Sequence, residues 1–161
     1  MFESTQTMLI AYDGSPESQR ALDYAASLLA PKHVEIITAW EPLYRQAARA
    51  AGQSGMKFSD LQSTDDETDD PAYQQALATC REGVNRAEEL GLYAKAHLVE
   101  SATSIWSAIV DASEDLRPDV IVIGTRAETG IRSFFSSSTT DSIVHNTNIP
   151  VFVVPPEDNE D

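Results

Sequence analysis

Two clusters in the sequence stand out as places for chemistry, and the larger is suited to gripping phosphate oxygens. The larger begins Gly124-Thr125-Arg126-Ala127-Glu128-Thr129-Gly130 and closes with the hydroxyl run Ser136-Ser137-Ser138-Thr139-Thr140. The smaller is Asp13-Gly14-Ser15-Pro16. Phosphate binding needs backbone N–H groups that converge on oxygen. Helix N-termini supply such donors along with a favourable dipole. Glycine lets the backbone approach closely, and hydroxyls add further donors. The 124–140 stretch has all three elements. The same residues also suit a plain strand-to-helix connection, because Gly and Ser are common in turns. Asp13 has two readings as well: a ligand group, or an acid that stabilises the start of the helix after it.

Other chemistries find less support. His33, His97 and His145 are far apart in sequence and form no spaced metal set. Ser138 lacks a Gly-x-Ser-x-Gly context, which disfavours a hydrolase. No nucleophile–base pair stands out for an enzyme acting on an anionic substrate. Arg126 and Arg132 are able to offset phosphate charge, but surface arginines are more often simply solvated. Cys80 is the only cysteine, so no internal disulfide forms. It lies on an apolar helical stripe and is expected to pack as a small hydrophobe. Trp40 and Trp106 read as packing residues.

The elements that must position these clusters follow from periodicity. Thr7–Tyr12 is a nearly continuous apolar run, which suits a strand buried on both faces. Ser15 then caps a helix with Pro16 in its first position. Ala21, Leu22, Ala25, Ala26, Leu28 and Leu29 follow at helical spacing, up to Pro31. Val34–Trp40 is a second strand. Asp70 and Pro71 open a helix whose apolar stripe runs from Tyr73 to Leu90, with Gly91 as its stop. Tyr93–Val99 is a third strand, and a third helix runs from Ile105 to before Pro118. Val120–Ile123 and Val151–Val154 are short apolar strands on either side of a last helix that ends near Asn146. Strands alternating with helices give an α/β fold: one doubly wound domain spanning 1–161, with a five-stranded, mainly parallel sheet and helices on both faces. In such sheets ligands bind beyond the carboxyl ends of the strands, where both clusters fall.

Residues 43–70 differ in character. They hold Gly52, Gly55 and the acidic run Asp65-Asp66-Glu67-Thr68-Asp69-Asp70, with no sustained apolar period in the middle. We read them as a flexible acidic insertion with a short helix near Tyr44–Ala51; residues 155–161 form an acidic tail. Eleven basic residues against 26 acidic ones leave a net charge of −15 across the 161 residues. Such a surface repels nucleic acid and anionic lipid, so neither is an expected partner. Acids spread over the helices, with Lys32, Lys57 and Lys95 the only lysines, suit a protein from a salt-loving microbe. The start of the chain lacks a basic region followed by an apolar core, and no apolar run approaches a membrane span. A cytoplasmic location is expected.

Three blocks in order, IAYDGSPESQRALDYAASLLA, VIVIGTRAETG with the serine run, and NIPVFVV, resemble the universal stress protein family over nearly the whole chain. That resemblance implies ATP or another adenine nucleotide as ligand, possible Mg²⁺ accompanying it, and at most slow hydrolysis. It also implies a homodimer formed through the last strand, which would otherwise be an exposed apolar edge. ATP-binding members carry Gly-x2-Gly-x9-Gly-Ser/Thr after the fourth strand. Counted from Gly124, the second glycine position holds Ala127, the third holds Ser137, and Ser138 supplies the hydroxyl, followed by Thr139. The spacing is kept and two glycines are replaced. Ala adds a methyl where backbone meets phosphate, and neither Ala nor Ser tolerates positive φ well. The resemblance further implies Asp13 at the adenine and ribose side, Ala39 offering backbone to adenine, and Ile123 beneath the ligand. The replaced glycines equally allow a family member that binds no nucleotide and works as a dimeric interaction module.

Overall fold

The computed structural model describes residues 6–54, 67–125 and 137–157. Strand β1 spans Thr7–Ala11 and helix α1 Pro16–Leu29; β2 spans His33–Trp40 and α2 Leu43–Ser54. A short 3₁₀ turn at Glu67–Asp69 leads into α3, Pro71–Glu89. Then come β3 (Tyr93–Glu100), α4 (Ile105–Leu116), β4 (Val120–Gly124), α5 (Ser137–Asn146) and β5 (Val151–Val154). The strands form one five-stranded sheet in the order β3-β2-β1-β4-β5, and every pairing is parallel.

The helix ends follow from local chemistry. The Ser15 hydroxyl accepts from the Ser18 amide at 3.2 Å, and Pro16 needs no partner for an N–H it lacks. Ala30 closes α1 in a left-handed conformation at φ 43°. Gly91 follows α3 at φ 83°, where a side chain would be strained. Ser104 caps α4 by accepting from the Ser107 amide.

The helices cover both faces of the sheet. On one face α1 and α3 enclose Met8, Ile10, Tyr12, Val34, Ile36 and Val122. On the other, α4 and α5 enclose Leu9, Ala11, Ile37, Ile121 and Ile123. Alternate residues of β1 therefore go to opposite cores, which explains its unbroken apolar run. Each fully buried Leu or Ile side chain contributes roughly 1.5–3 kcal/mol. Cys80 is one of these buried residues, and its Sγ lies 3.4 Å from the Ile36 carbonyl. Burial raises the thiol's pKa, which suits packing rather than reaction.

The expected short helix near Tyr44–Ala51 is present as α2, and it is longer, Leu43–Ser54. Asp70 fastens both ends of the 43–70 excursion. It is buried, and one carboxylate oxygen caps α3 by accepting from the Ala72 amide at 2.9 Å. Its other oxygen accepts from the Leu43 amide, also at 2.9 Å. One carboxylate therefore holds the start of α2 beside the start of α3. The acidic run at residues 65–66 and the tail beyond residue 157 lie outside the described residues.

Candidate functional site

The strand order reverses between β1 and β4. From β1 the chain steps outward through β2 to β3, then returns to the other side of β1 for β4 and β5. In open α/β sheets, connections on the two sides diverge at such a point and ligands bind beyond the carboxyl ends of the strands. Ala11 pairs with Ile37 and Ile10 with Val122. Asp13 follows the end of β1, Ala39 lies one residue before the end of β2, and Gly124 ends β4. In parallel strands these ends share one edge of the sheet, although the residues are distant in sequence.

The β1 exit is tightly held. The Tyr12 amide donates to the Ile37 carbonyl at 2.8 Å, and the Thr38 hydroxyl donates to the Tyr12 carbonyl at 2.8 Å. Beyond it, Gly14 adopts φ +79°. The Asp13 carboxylate accepts from the Ser15 amide through Oδ1 at 2.9 Å. Asp13 therefore organises its own turn at the α1 N-terminus, which is the stabilising reading of this residue. It is only partly buried, just past the carboxyl end of β1.

Gly124 has a structural reason to be glycine that the sequence does not disclose. A Cβ there would stand 2.4 Å from the Glu17 carbonyl oxygen in the first turn of α1. The end of β4 and the start of α1 lie backbone against backbone. Ile123 is fully enclosed in the core with Leu9, Ala11 and Ile143, so it lies beneath the carboxyl edge of the sheet. Helix α5 runs back between two parallel strands, which puts its N-terminus at the same edge. Ser137 is its first residue, Ser138 is exposed, and Thr139 is half-buried. Thr140 is 6% exposed, and its hydroxyl has no partner among the described residues. Ala127, Arg126, Gly130 and Arg132 lie outside the described residues.

Among the described residues no three His, Cys, Asp or Glu side chains converge to hold a metal. His97 pairs instead with Glu35 across β2 and β3. Trp40 packs edge-on against Tyr73, with ring centroids 5.2 Å apart, as a packing residue should.

Residues 4–155 match the sequence profile of the universal stress protein family. The chain belongs to this family. No curated protein matches it by sequence. Solved structures match over most of this chain. A universal stress protein in complex with cAMP is 22% identical at a TM-score of 0.60, covering 94% of this chain and 98% of its own. The universal stress protein from Archaeoglobus fulgidus in complex with dAMP is 18% identical at 0.61, covering 94% and 99%. A family protein from Arabidopsis thaliana with AMP bound is 14% identical at 0.63, covering 94% and 92%. At these identities the likeness establishes the shared fold.

Some residues around this family site escape a reading of the sequence. Tyr12, Gln19 and Glu82 form a linked set behind the Asp13 turn. Glu82 lies on α3, and no local pattern ties it to Asp13. A single signal was present in the pairing of Tyr12 with Gly83. A Cβ on Gly83 would come within 2.8 Å of the Tyr12 ring, so a large residue just past β1 faces a missing side chain on α3.

Proposed function

We propose that the chain is an adenine-nucleotide-binding stress-response protein, with ATP or a related nucleotide lodged in the crevice between β1 and β4. The observation that supports this reading is the reversal of strand order between β1 and β4, with the ends of β1, β2 and β4, near which Asp13, Ala39 and Gly124 lie, on one edge of the sheet. Three further features support it. The α5 N-terminus opens toward the same edge, Thr140 holds a buried hydroxyl without a protein partner among the described residues, and three structural neighbours carry AMP, dAMP or cAMP. In this reading Asp13 contacts the adenine and ribose side, Ala39 offers backbone to adenine, and Ile123 lies under the ligand. Gly124, Ala127, Ser137, Ser138 and Thr139 surround the phosphates. Mg²⁺ would arrive on the phosphates rather than at a protein cage. Turnover is at most slow, because no general base or phosphate-gripping lysine has been identified at the strand ends.

The reading includes a homodimer through β5 and a cytoplasmic setting in a salt-rich cell. The net charge of −15 motivates the last point. It predicts a melting temperature that climbs with KCl, and a flat response would refute it. Among the described residues no helix is long and apolar enough to cross a membrane.

The test is to purify the chain at high salt, denature it, and identify any released nucleotide by mass spectrometry. Recovery of an adenine nucleotide in proportion to protein is the expected result. A chain that releases none, and gains none on incubation with millimolar AMP, ADP or ATP, does not have this function.

A second reading is a dimeric interaction module with a decayed nucleotide site. The Glu17 carbonyl against Gly124 favours it, since that contact requires glycine whether or not phosphate ever binds. The double variant Ala127→Gly, Ser137→Gly separates the two. Binding that appears only in the double variant establishes the decayed site.

A further inference from the structure

The turn that carries Asp13 is braced from α3. Tyr12 is wholly buried, and its hydroxyl donates to Glu82 Oε1 at 2.9 Å. The Gln19 side-chain amide reaches the same Oε1 at 3.4 Å and the Gly14 carbonyl at 3.4 Å. These two are long bonds, but both come from one NH₂ group set between the acid and the turn. Thr79, one turn before Glu82 on α3, puts its methyl 3.4 Å from where a Cβ on Gly14 would stand. Gly83 lies against the Tyr12 ring. A run of α3 from Thr79 to Gly83 is therefore fitted to Tyr12 and Gly14, the two residues that precede and follow Asp13 along the turn. Separately, Arg86 forms a two-pronged bond to Asp23 on α1 at 3.0 and 2.7 Å, which ties the same two helices together.

This arrangement holds more than packing requires. Glu82 is itself exposed, and its Oε1 takes one donor from the buried Tyr12 hydroxyl and is reached by a second from Gln19. Both donors belong to the segment that shapes the Asp13 turn. Burial, and then Glu82 itself, push the Tyr12 hydroxyl above its ordinary acidity range, so it stays a donor. The acid on α3 and the turn on the strand end are thus coupled through two side chains.

We propose that Glu82 is a positioning residue of the nucleotide site, fixing the Asp13-Gly14-Ser15 turn through Gln19 and Tyr12. The inference rests on the nucleotide reading for its effect on binding, and on the structure alone for its effect on the turn. Four proteins test it: the native chain, Glu82→Ala, Glu82→Gln and Arg86→Ala. Two measurements are made on each: adenine-nucleotide affinity by calorimetry, and hydrogen exchange at the Ser15 amide, which bonds to Asp13. Glu82→Ala should weaken binding about tenfold, the scale of one hydrogen bond to a charged group, and should speed Ser15 exchange. Glu82→Gln keeps an acceptor for Tyr12 and should recover part of both. Arg86→Ala removes the Asp23 ion pair and leaves the hydrogen bonds of Glu82 in place, so it should lower the melting temperature while leaving affinity within about twofold, the surface-pair scale. Native affinity in Glu82→Ala would overturn the proposal, and so would an equal loss in Arg86→Ala. If the native chain binds no nucleotide, the functional reading fails on its own. Ser15 exchange then decides: unchanged protection in Glu82→Ala overturns the positioning role, and faster exchange upholds it.

Discussion

At the scale of single residues, glycines in the same region answer to different demands. Gly14 is needed for its positive φ, whereas Gly124 is needed because the Glu17 backbone occupies the space of a side chain. Gly124→Ala should therefore destabilise the fold itself by roughly 1–3 kcal/mol, the range of an overpacked core site. Urea unfolding of the unliganded chain measures this, and an unchanged midpoint would show that the β4–α1 contact yields easily. Tyr12 makes a second residue-scale prediction. Its folded-state acidity lies above the ordinary tyrosine value near 10, so above that pH the unfolded chain gives up its proton first. Stability then falls as pH rises, by at most about 1.4 kcal/mol per pH unit for one proton. Tyr12→Phe removes that contribution. Its alkaline stability curve should be shallower than the native one above about pH 10, and parallel curves would contradict the burial argument. Both residues show why the sequence disclosed only part of the site. Spacing points to Gly124, Ser137 and Ser138 as candidates, and turn chemistry points to Asp13. That Gly124 abuts Glu17, or that Glu82 stands behind Tyr12, depends on how distant elements meet.

At the scale of elements, the ends were the most legible part. Ser15–Pro16 and Asp70–Pro71 announce helix starts because a capping oxygen and a proline act locally. The apolar runs of β1 and β4 announce buried strands for the same reason. Helix α2 was less legible. Only its first half shows an amphipathic pattern, yet the helix reaches Ser54. Asp70 was read as a cap, which it is; that it also takes the Leu43 amide was not legible, because that bond closes a gap of 27 residues. The consequence is measurable. Asp70→Ala loses the α3 cap, worth about 1 kcal/mol. It also strands the Leu43 amide, at a cost of roughly 1–3 kcal/mol if water cannot reach it. Asp70→Asn keeps one acceptor and should fall between. A loss in Asp70→Ala no larger than an ordinary cap would mean that Leu43 is not held there.

At the scale of the whole molecule, the topology does the work of assembly. Parallel crossovers bring α1 and α5 N-termini and the ends of β1, β2 and β4 to one edge, so the order of elements already predicts where a ligand belongs. The two outer strands differ in how they meet solvent. Edge strand β3 carries Lys95, His97 and Glu100, charges or potential charges that discourage pairing. Edge strand β5 is Val-Phe-Val-Val, with Val153 40% exposed and Val144 of α5 46% exposed. A homodimer through β5 would cover that edge. Val153→Lys should then shift the chain to monomer in sedimentation analysis while leaving its circular dichroism intact. A native chain that sediments as a monomer, or a Val153→Lys dimer, would contradict it. The central claim concerns the crevice, and titration calorimetry tests it most directly. The native chain in high salt, titrated with AMP, ADP and ATP, should show saturable binding at one site per chain for at least one of them, and Asp13→Ala should lose it. No heat up to millimolar nucleotide, or unaltered binding in Asp13→Ala, would contradict the assignment of the β1–β4 crevice as an adenine-nucleotide site.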